Sequence, residues 1–156
     1  MNAKPAAPGP RYRALLQLLR TAETLWNASR VFFARWHLSP SQFNVLNLLR
    51  NHPAGLSQME LSRELIMHRS NMTGLIDRLE QRGLVVRTDS ASDRRTYRVL
   101  LTAKGRKLVQ MILPHYYQAA EQVWGRLPAG RSVQLAADLV EVTQNAERIA
   151  AAQAGQ

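Results

Sequence analysis

Between Arg11 and Trp36 apolar residues return at helical spacing, at Leu15, Leu18, Leu19, Leu25, Trp26, Val31 and Phe32. This predicts one long amphipathic helix or two in succession. Ser39-Pro40-Ser41-Gln42 then supplies a capping serine, a proline in the first helical turn and a glutamine three residues past the cap. Phe43, Val45, Leu46, Leu48 and Leu49 follow, so a second helix is expected to about Asn51. His52-Pro53-Ala54-Gly55 breaks it, and Ser57-Gln58-Met59-Glu60 repeats the capping logic before a short helix to about Leu65. A fourth helix is predicted over 69–81, stopped by Gly83 in the C-terminal capping position.

The period changes at Leu84. Leu84-Val85-Val86-Arg87 and Thr96-Tyr97-Arg98-Val99-Leu100-Leu101 are short and rich in β-formers, and the polar segment 88–95 lies between them, so a β-hairpin is expected. Helical spacing resumes after Thr102, a capping residue, and continues through Leu108, Met111 and Ile112 toward Trp124, with a kink expected at Pro114. Leu127-Pro128-Ala129-Gly130 reads as a turn, and residues 131–150 as a last amphipathic helix carrying Val133, Leu135, Leu139, Val142, Ala146 and Ile149.

Helices followed at once by a hairpin, with the last two helices joined by a tight turn, is the order of a winged helix-turn-helix. On the fourth helix Met72, Leu75, Ile76 and Leu79 fall on one stripe, while Ser70, Asn71, Thr73, Asp77 and Arg78 lie away from it. A helix entering the major groove reads bases with its N-terminal residues, and short polar side chains there approach base edges and phosphates without conflict. In the hairpin turn Arg94 and Arg95 project two guanidinium groups suited to phosphate or to a minor groove. Each feature has a plain alternative: a capped surface helix, and a solvated turn. Their occurrence in this order favours DNA.

Composition supports a polyanionic partner. The 156 residues carry 21 Lys and Arg against 11 Asp and Glu, a formal net charge of +10. The surplus lies in the first two-thirds: residues 1–56 sum to +6, 57–107 to +5 and 108–156 to −1. There is no cysteine, which removes disulfides, thiolate metal sites and thiol redox sensing and is compatible with a reducing cytosol. The apolar runs are too short for a membrane span, and Met1 to Pro10 has no signal-peptide pattern, so a cytoplasmic protein is expected. His37, His52, His68 and His115 occur singly, so no metal is assigned, although a site gathered in space from His37, His115 and Glu23 is left open. No nucleophile elbow, phosphate loop, dinucleotide fingerprint or acid/base pair is present. Neither an enzyme nor a cofactor is therefore expected.

Leu61-Ser62-Arg63-Glu64-Leu65, His68 through Arg87, and Asp93-Arg94-Arg95 followed by Leu101-Thr102 and Gly105 closely resemble the MarR family of bacterial regulators. The similarity covers about residues 40–107 in motif and the whole chain in helix order. It implies a mainly α fold with a small β-hairpin wing. The expected parts are a tail over 1–10, an N-terminal dimerisation helix over 11–38, a DNA-binding lobe over 39–107, C-terminal dimerisation helices over 108–150 and a tail over 151–156. It further implies a homodimer on a roughly palindromic operator, usually repressing until a small ligand changes lobe spacing. Arg69, Ser70, Asn71, Thr73 and Arg78 would lie on the recognition helix, and Arg94 and Arg95 on the wing. Trp26, Trp36, His37 and Tyr116 are candidate lining of a pocket for an aromatic or amphipathic ligand. The alternative is a constitutive or architectural DNA-binding protein without an effector. Two departures stand out: Ile66 where many relatives carry glycine in the turn, and Gly74 where many carry arginine, which removes one expected DNA contact.

Overall fold

The computed structural model describes residues 9–65, 72–89 and 97–154. Among them the elements are α1 (Pro10–Ala34), α2 (Pro40–Arg50), β1 (Leu56–Ser57), α3 (Gln58–Glu64), α4 (Met72–Gln81), β2 (Val85–Asp89), β3 (Tyr97–Leu101), α5 (Ala103–Trp124) and α6 (Ala129–Ala154). They fall into two units, Met1–Gln110 and Met111–Gln156.

Local sequence explains most boundaries in the first unit. Ser39 and Ser57 each form a full capping box. The serine hydroxyl accepts from the backbone of Gln42 or Glu60, and that residue's side chain accepts the serine N–H in return. The Ser57 N–H donating to the Glu60 carboxylate, aided by the Ser57 hydroxyl and by Arg98, holds that carboxyl below its ordinary pKa. α4 ends in a left-handed glycine, Gly83 at φ 67°, with Gly83 N–H donating to Glu80 O at 2.8 Å and Leu84 N–H to Leu79 O at 3.0 Å. This is a Schellman closure, and the flanking Leu79 and Leu84 are both buried.

The sheet has the order β1-β3-β2, all antiparallel, with Val85 opposite Leu101, Arg87 opposite Val99 and Leu56 opposite Val99 on the other side. The hairpin was expected from the sequence and the third strand was not, because two residues give no alternation to read. The core lies between this sheet and the helices. Phe33, Phe43, Leu46, Leu61, Ile76, Leu79, Leu84, Val85 and Val99 are each at most 2% exposed. Phe33 stacks on Phe43 with ring centroids 4.3 Å apart, joining α1 to α2.

A close junction joins α4, the sheet and α5. Thr102 caps α5 by accepting from Gly105 N–H at 3.0 Å, while its own N–H donates to Leu84 O at 3.1 Å and its hydroxyl to Gly83 O at 2.7 Å, with Leu84 O a longer second acceptor at 3.1 Å. A Cβ on Gly105 would stand 2.1 Å from that same carbonyl, so only glycine fits.

The second unit contains the remainder of α5 and α6, joined through Gly125 at φ 57°. α5 runs unbroken through Pro114. α6 starts at Ala129 rather than at 131 and continues to Ala154, past the expected end at 150, because Ala150-Ala151-Ala152-Gln153-Ala154 are strong helix formers. α1 likewise takes in Pro10, whose fixed φ suits a first helical position. α6 buries no residue.

Gly105→Ala is expected to destabilise the first unit by about 2–4 kcal/mol, since the clash is with backbone and cannot be relieved by a rotamer change. Urea unfolding followed by far-ultraviolet circular dichroism measures it, and an unchanged midpoint refutes the tight junction.

Candidate nucleic-acid interface

α4 divides cleanly into two faces. Met72, Leu75, Ile76 and Leu79 are buried, and Thr73 and Arg78 are exposed. The predicted stripe is therefore the observed one. Arg78 makes no hydrogen bond or ion pair among the described residues, which leaves its guanidinium available to an anion. Arg69, Ser70 and Asn71, as well as Arg94, Arg95 and the turn at Ile66, lie outside the described residues.

The polar side of α4 also carries Asp77 and Glu80, which by themselves would repel a phosphate backbone. Arg87 on β2 answers both. Its guanidinium pairs with the Asp77 and Glu80 carboxylates, its backbone N–H donates to Glu80 Oε1 at 2.9 Å, and its guanidinium carbon lies 5.0 Å from the centre of the Tyr97 ring. Partial burial disfavours the Arg87 charge, but its hydrogen bonds to Asp77 and Glu80, with Tyr97 beside it, outweigh that and raise its pKa, so it is a permanent cation. One arginine thus ties the wing strand to α4 and cancels charge on the face that carries Thr73 and Arg78.

A second set of bonds runs through α3. The Tyr97 hydroxyl donates to Gln58 Oε1, and Gln58 Nε2 donates to Thr73 Oγ1 at 2.8 Å. Thr73, picked out from the sequence as a candidate base contact, is therefore held from behind by Gln58. Sequence reasoning passed over Arg87, Gln58 and Tyr97. Gln58 was visible only as a residue inside a capping box, and Arg87 only as the end of a strand.

The candidate effector residues separate. Trp26 and His37 line one open cavity of about 460 Å³ together with Arg30, Leu38, Ser39 and Pro40. Trp36 is not in that lining; its ring packs on Phe32 at 5.3 Å, with the Arg35 guanidinium 4.6 Å from its centre. Tyr116 is half-buried on the part of α5 that belongs to the second unit. Arg30 was missed, lying on the same helix one turn beyond Trp26, a spacing that would have disclosed it. His37 has φ 54°, and the carbonyls of Trp36 and His37 accept from Arg82 at 3.1 and 2.6 Å. Among the described residues no three His, Asp or Glu side chains gather as metal ligands, so the grouping of His37, His115 and Glu23 is not found. No described helix is long and apolar enough to cross a membrane.

Comparison with known proteins places this architecture. The MarR family pattern matches residues 37–96, which begin just after α1 and take in α2, β1, α3, α4 and β2. The HTH-type transcriptional regulator PapX of Escherichia coli is 30% identical over 127 residues, covering 81% of this chain and 77% of that protein. A MarR transcription factor from Planctomyces limnophilus superposes with a TM-score of 0.65 at 32% identity, over 88% of this chain and 99% of the other. BpsR of Bordetella bronchiseptica, whose DNA binding is regulated by 6-hydroxynicotinic acid, superposes with a TM-score of 0.76 at 26% identity, over 88% of this chain and 98% of that one. Matched along most of its length by regulators and by no enzyme among these relatives, the chain belongs to the MarR family of DNA-binding transcription regulators.

Proposed function

We propose that this regulator is a cytoplasmic, homodimeric repressor that sets α4 into successive major grooves of a pseudo-palindromic operator and releases it when a small aromatic anion binds. The observation that carries the DNA reading is the exposed face of α4, where Thr73 and Arg78 stand clear and Arg87 neutralises the neighbouring carboxylates. Asn71 with Thr73 would read base edges, and Arg94 with Arg95 would hold phosphate or a minor groove.

Dimerisation is supported by apolar surface that neither unit covers by itself. On α1, Leu15, Leu19 and Val31 are 49%, 58% and 76% exposed; on α6, Val133, Val140 and Ile149 are 71%, 57% and 59% exposed. Patches of this kind are rarely left in water. A twofold dimer would place the half-sites about one helical turn apart.

The effector reading rests on the cavity at Trp26, Arg30 and His37, where an aromatic wall stands beside a guanidinium, and on the regulation of BpsR by 6-hydroxynicotinic acid. A ligand weakens operator binding only if it prefers the DNA-incompetent arrangement, because equal affinity for both shifts nothing. The constitutive reading differs on that point alone.

Sedimentation equilibrium at micromolar concentration is expected to give a dimer mass; a monomer removes the twofold operator. Operator titrations with 6-hydroxynicotinate or benzoate are expected to raise Kd for wild type and to leave Arg30→Ala unaffected. Acids that bind while operator affinity stays constant would establish the constitutive reading. Asn71→Ala or Thr73→Ala is expected to cost about 1–3 kcal/mol at the operator and far less on random DNA. Arg94→Ala with Arg95→Ala is expected to weaken both kinds of DNA and to flatten the plot of log affinity against log salt by about one unit per lost contact. If that double variant is folded and dimeric yet binds with unchanged affinity and slope, the wing does not touch DNA.

A further inference from the structure

Thr73 stands at the end of a chain of hydrogen bonds whose direction can be followed atom by atom. The chain begins at Tyr97, whose ring centre lies 5.0 Å from the Arg87 guanidinium carbon. The phenol proton is then given to Gln58 Oε1. With its oxygen occupied, the Gln58 amide presents Nε2 to α4 and donates to Thr73 Oγ1 at 2.8 Å. The Thr73 hydroxyl therefore receives a hydrogen bond from the protein side. Its own proton has no acceptor among the described residues, and the side chain is exposed.

We infer that Gln58 is a specificity-determining residue: by donating to Thr73 it fixes that hydroxyl as a hydrogen-bond donor toward DNA, so Thr73 selects a base edge that presents an acceptor. In the major groove such edges are guanine O6 and N7, adenine N7 and thymine O4, whereas cytosine presents only its N4 amino donor. Thr73 oxygen retains a second lone pair, but using it for cytosine leaves the hydroxyl proton unpaired at a desolvated interface, a costly state. Gln58 does not touch the base itself. It acts through Thr73, and the inference rests on the reading of α4 as the helix that enters the major groove.

The test is selection from randomised duplex DNA, sequenced after binding, for the full-length wild type and for Thr73→Ala, Gln58→Glu and Tyr97→Phe, each checked for thermal melting. Thr73→Ala identifies the position that Thr73 reads, where the wild type is expected to disfavour cytosine by about 3–10-fold, the worth of one hydrogen bond. Gln58→Glu has the same shape but no proton to give. Its carboxylate takes the Thr73 proton and turns oxygen lone pairs to the DNA, so the disfavour of cytosine at that position is expected to be lost or reversed. Because the added charge lowers affinity for all sequences, the preference rather than the affinity is read. Tyr97→Phe removes the donor that orients the amide and is expected to flatten the same preference, which serves if Gln58→Glu does not fold. If Thr73→Ala alters no position, both the base contact and this inference fall. If it alters one position and the Gln58 and Tyr97 variants keep the wild-type preference there, the base contact stands and the inference is overturned.

Discussion

At the junction of α4, the sheet and α5, a single backbone carbonyl, that of Leu84, organises the DNA-binding lobe. Gly83 turns left-handed to end α4 and bring Leu84 back toward Leu79, and the Leu84 carbonyl then takes the Thr102 N–H, with the Thr102 hydroxyl on the adjacent Gly83 carbonyl, while Gly105 presses against it. Four elements are fixed at once by this arrangement: the end of α4, the start of β2, the end of β3 and the first turn of α5. The apolar stripe of α4 supplies the driving force for packing, but burial is not directional. The angle at which α4 presents its outer face is set by the directional contacts, and these converge on residues 83, 84, 102 and 105.

The outer face poses an electrostatic problem that the lobe resolves internally. α4, proposed above to approach phosphates, carries Asp77 and Glu80, and the sheet returns one cation, Arg87, to lie between them. The pairing is partly exposed, with the Arg87 side chain at 22% of its full accessibility, so its value to stability is modest. Its larger role is orientation. Both carboxylates are held by Arg87, and Tyr97 on the hairpin's second strand is drawn into the same cluster.

Features that depend on neighbours within four residues were legible in the sequence. The two capping boxes, the Gly83 stop, the buried stripe of α4 and the hairpin strands all follow from spacing alone. What escaped were contacts across long separations, such as Gln58 with Tyr97, Arg82 with His37 and Arg98 with the Ala54 and Gly55 carbonyls. No period connects residues that meet only because the chain has folded. The candidate pocket shows the same division: Trp26 and His37 lie on one cavity, while Trp36 turns onto Phe32 under Arg35. Side chains one residue apart on a helical turn point in different directions, and composition cannot choose between them.

The bond from Arg82 to the carbonyls of Trp36 and His37 bears on how such lobes can be exchanged. A non-glycine residue at φ 54° is an uphill conformation, costing about 1–3 kcal/mol, and it persists because its surroundings hold it. Here the holder sits just past the end of α4, and Lys104 in turn grips the Arg82 carbonyl at 2.7 Å. The connector after α1 and the segment after α4 therefore form an inseparable module. A chimera that grafts foreign lobe residues onto this α1 would need to carry a forked donor at position 82, or the entry to α2 would relax into another path and re-aim everything downstream.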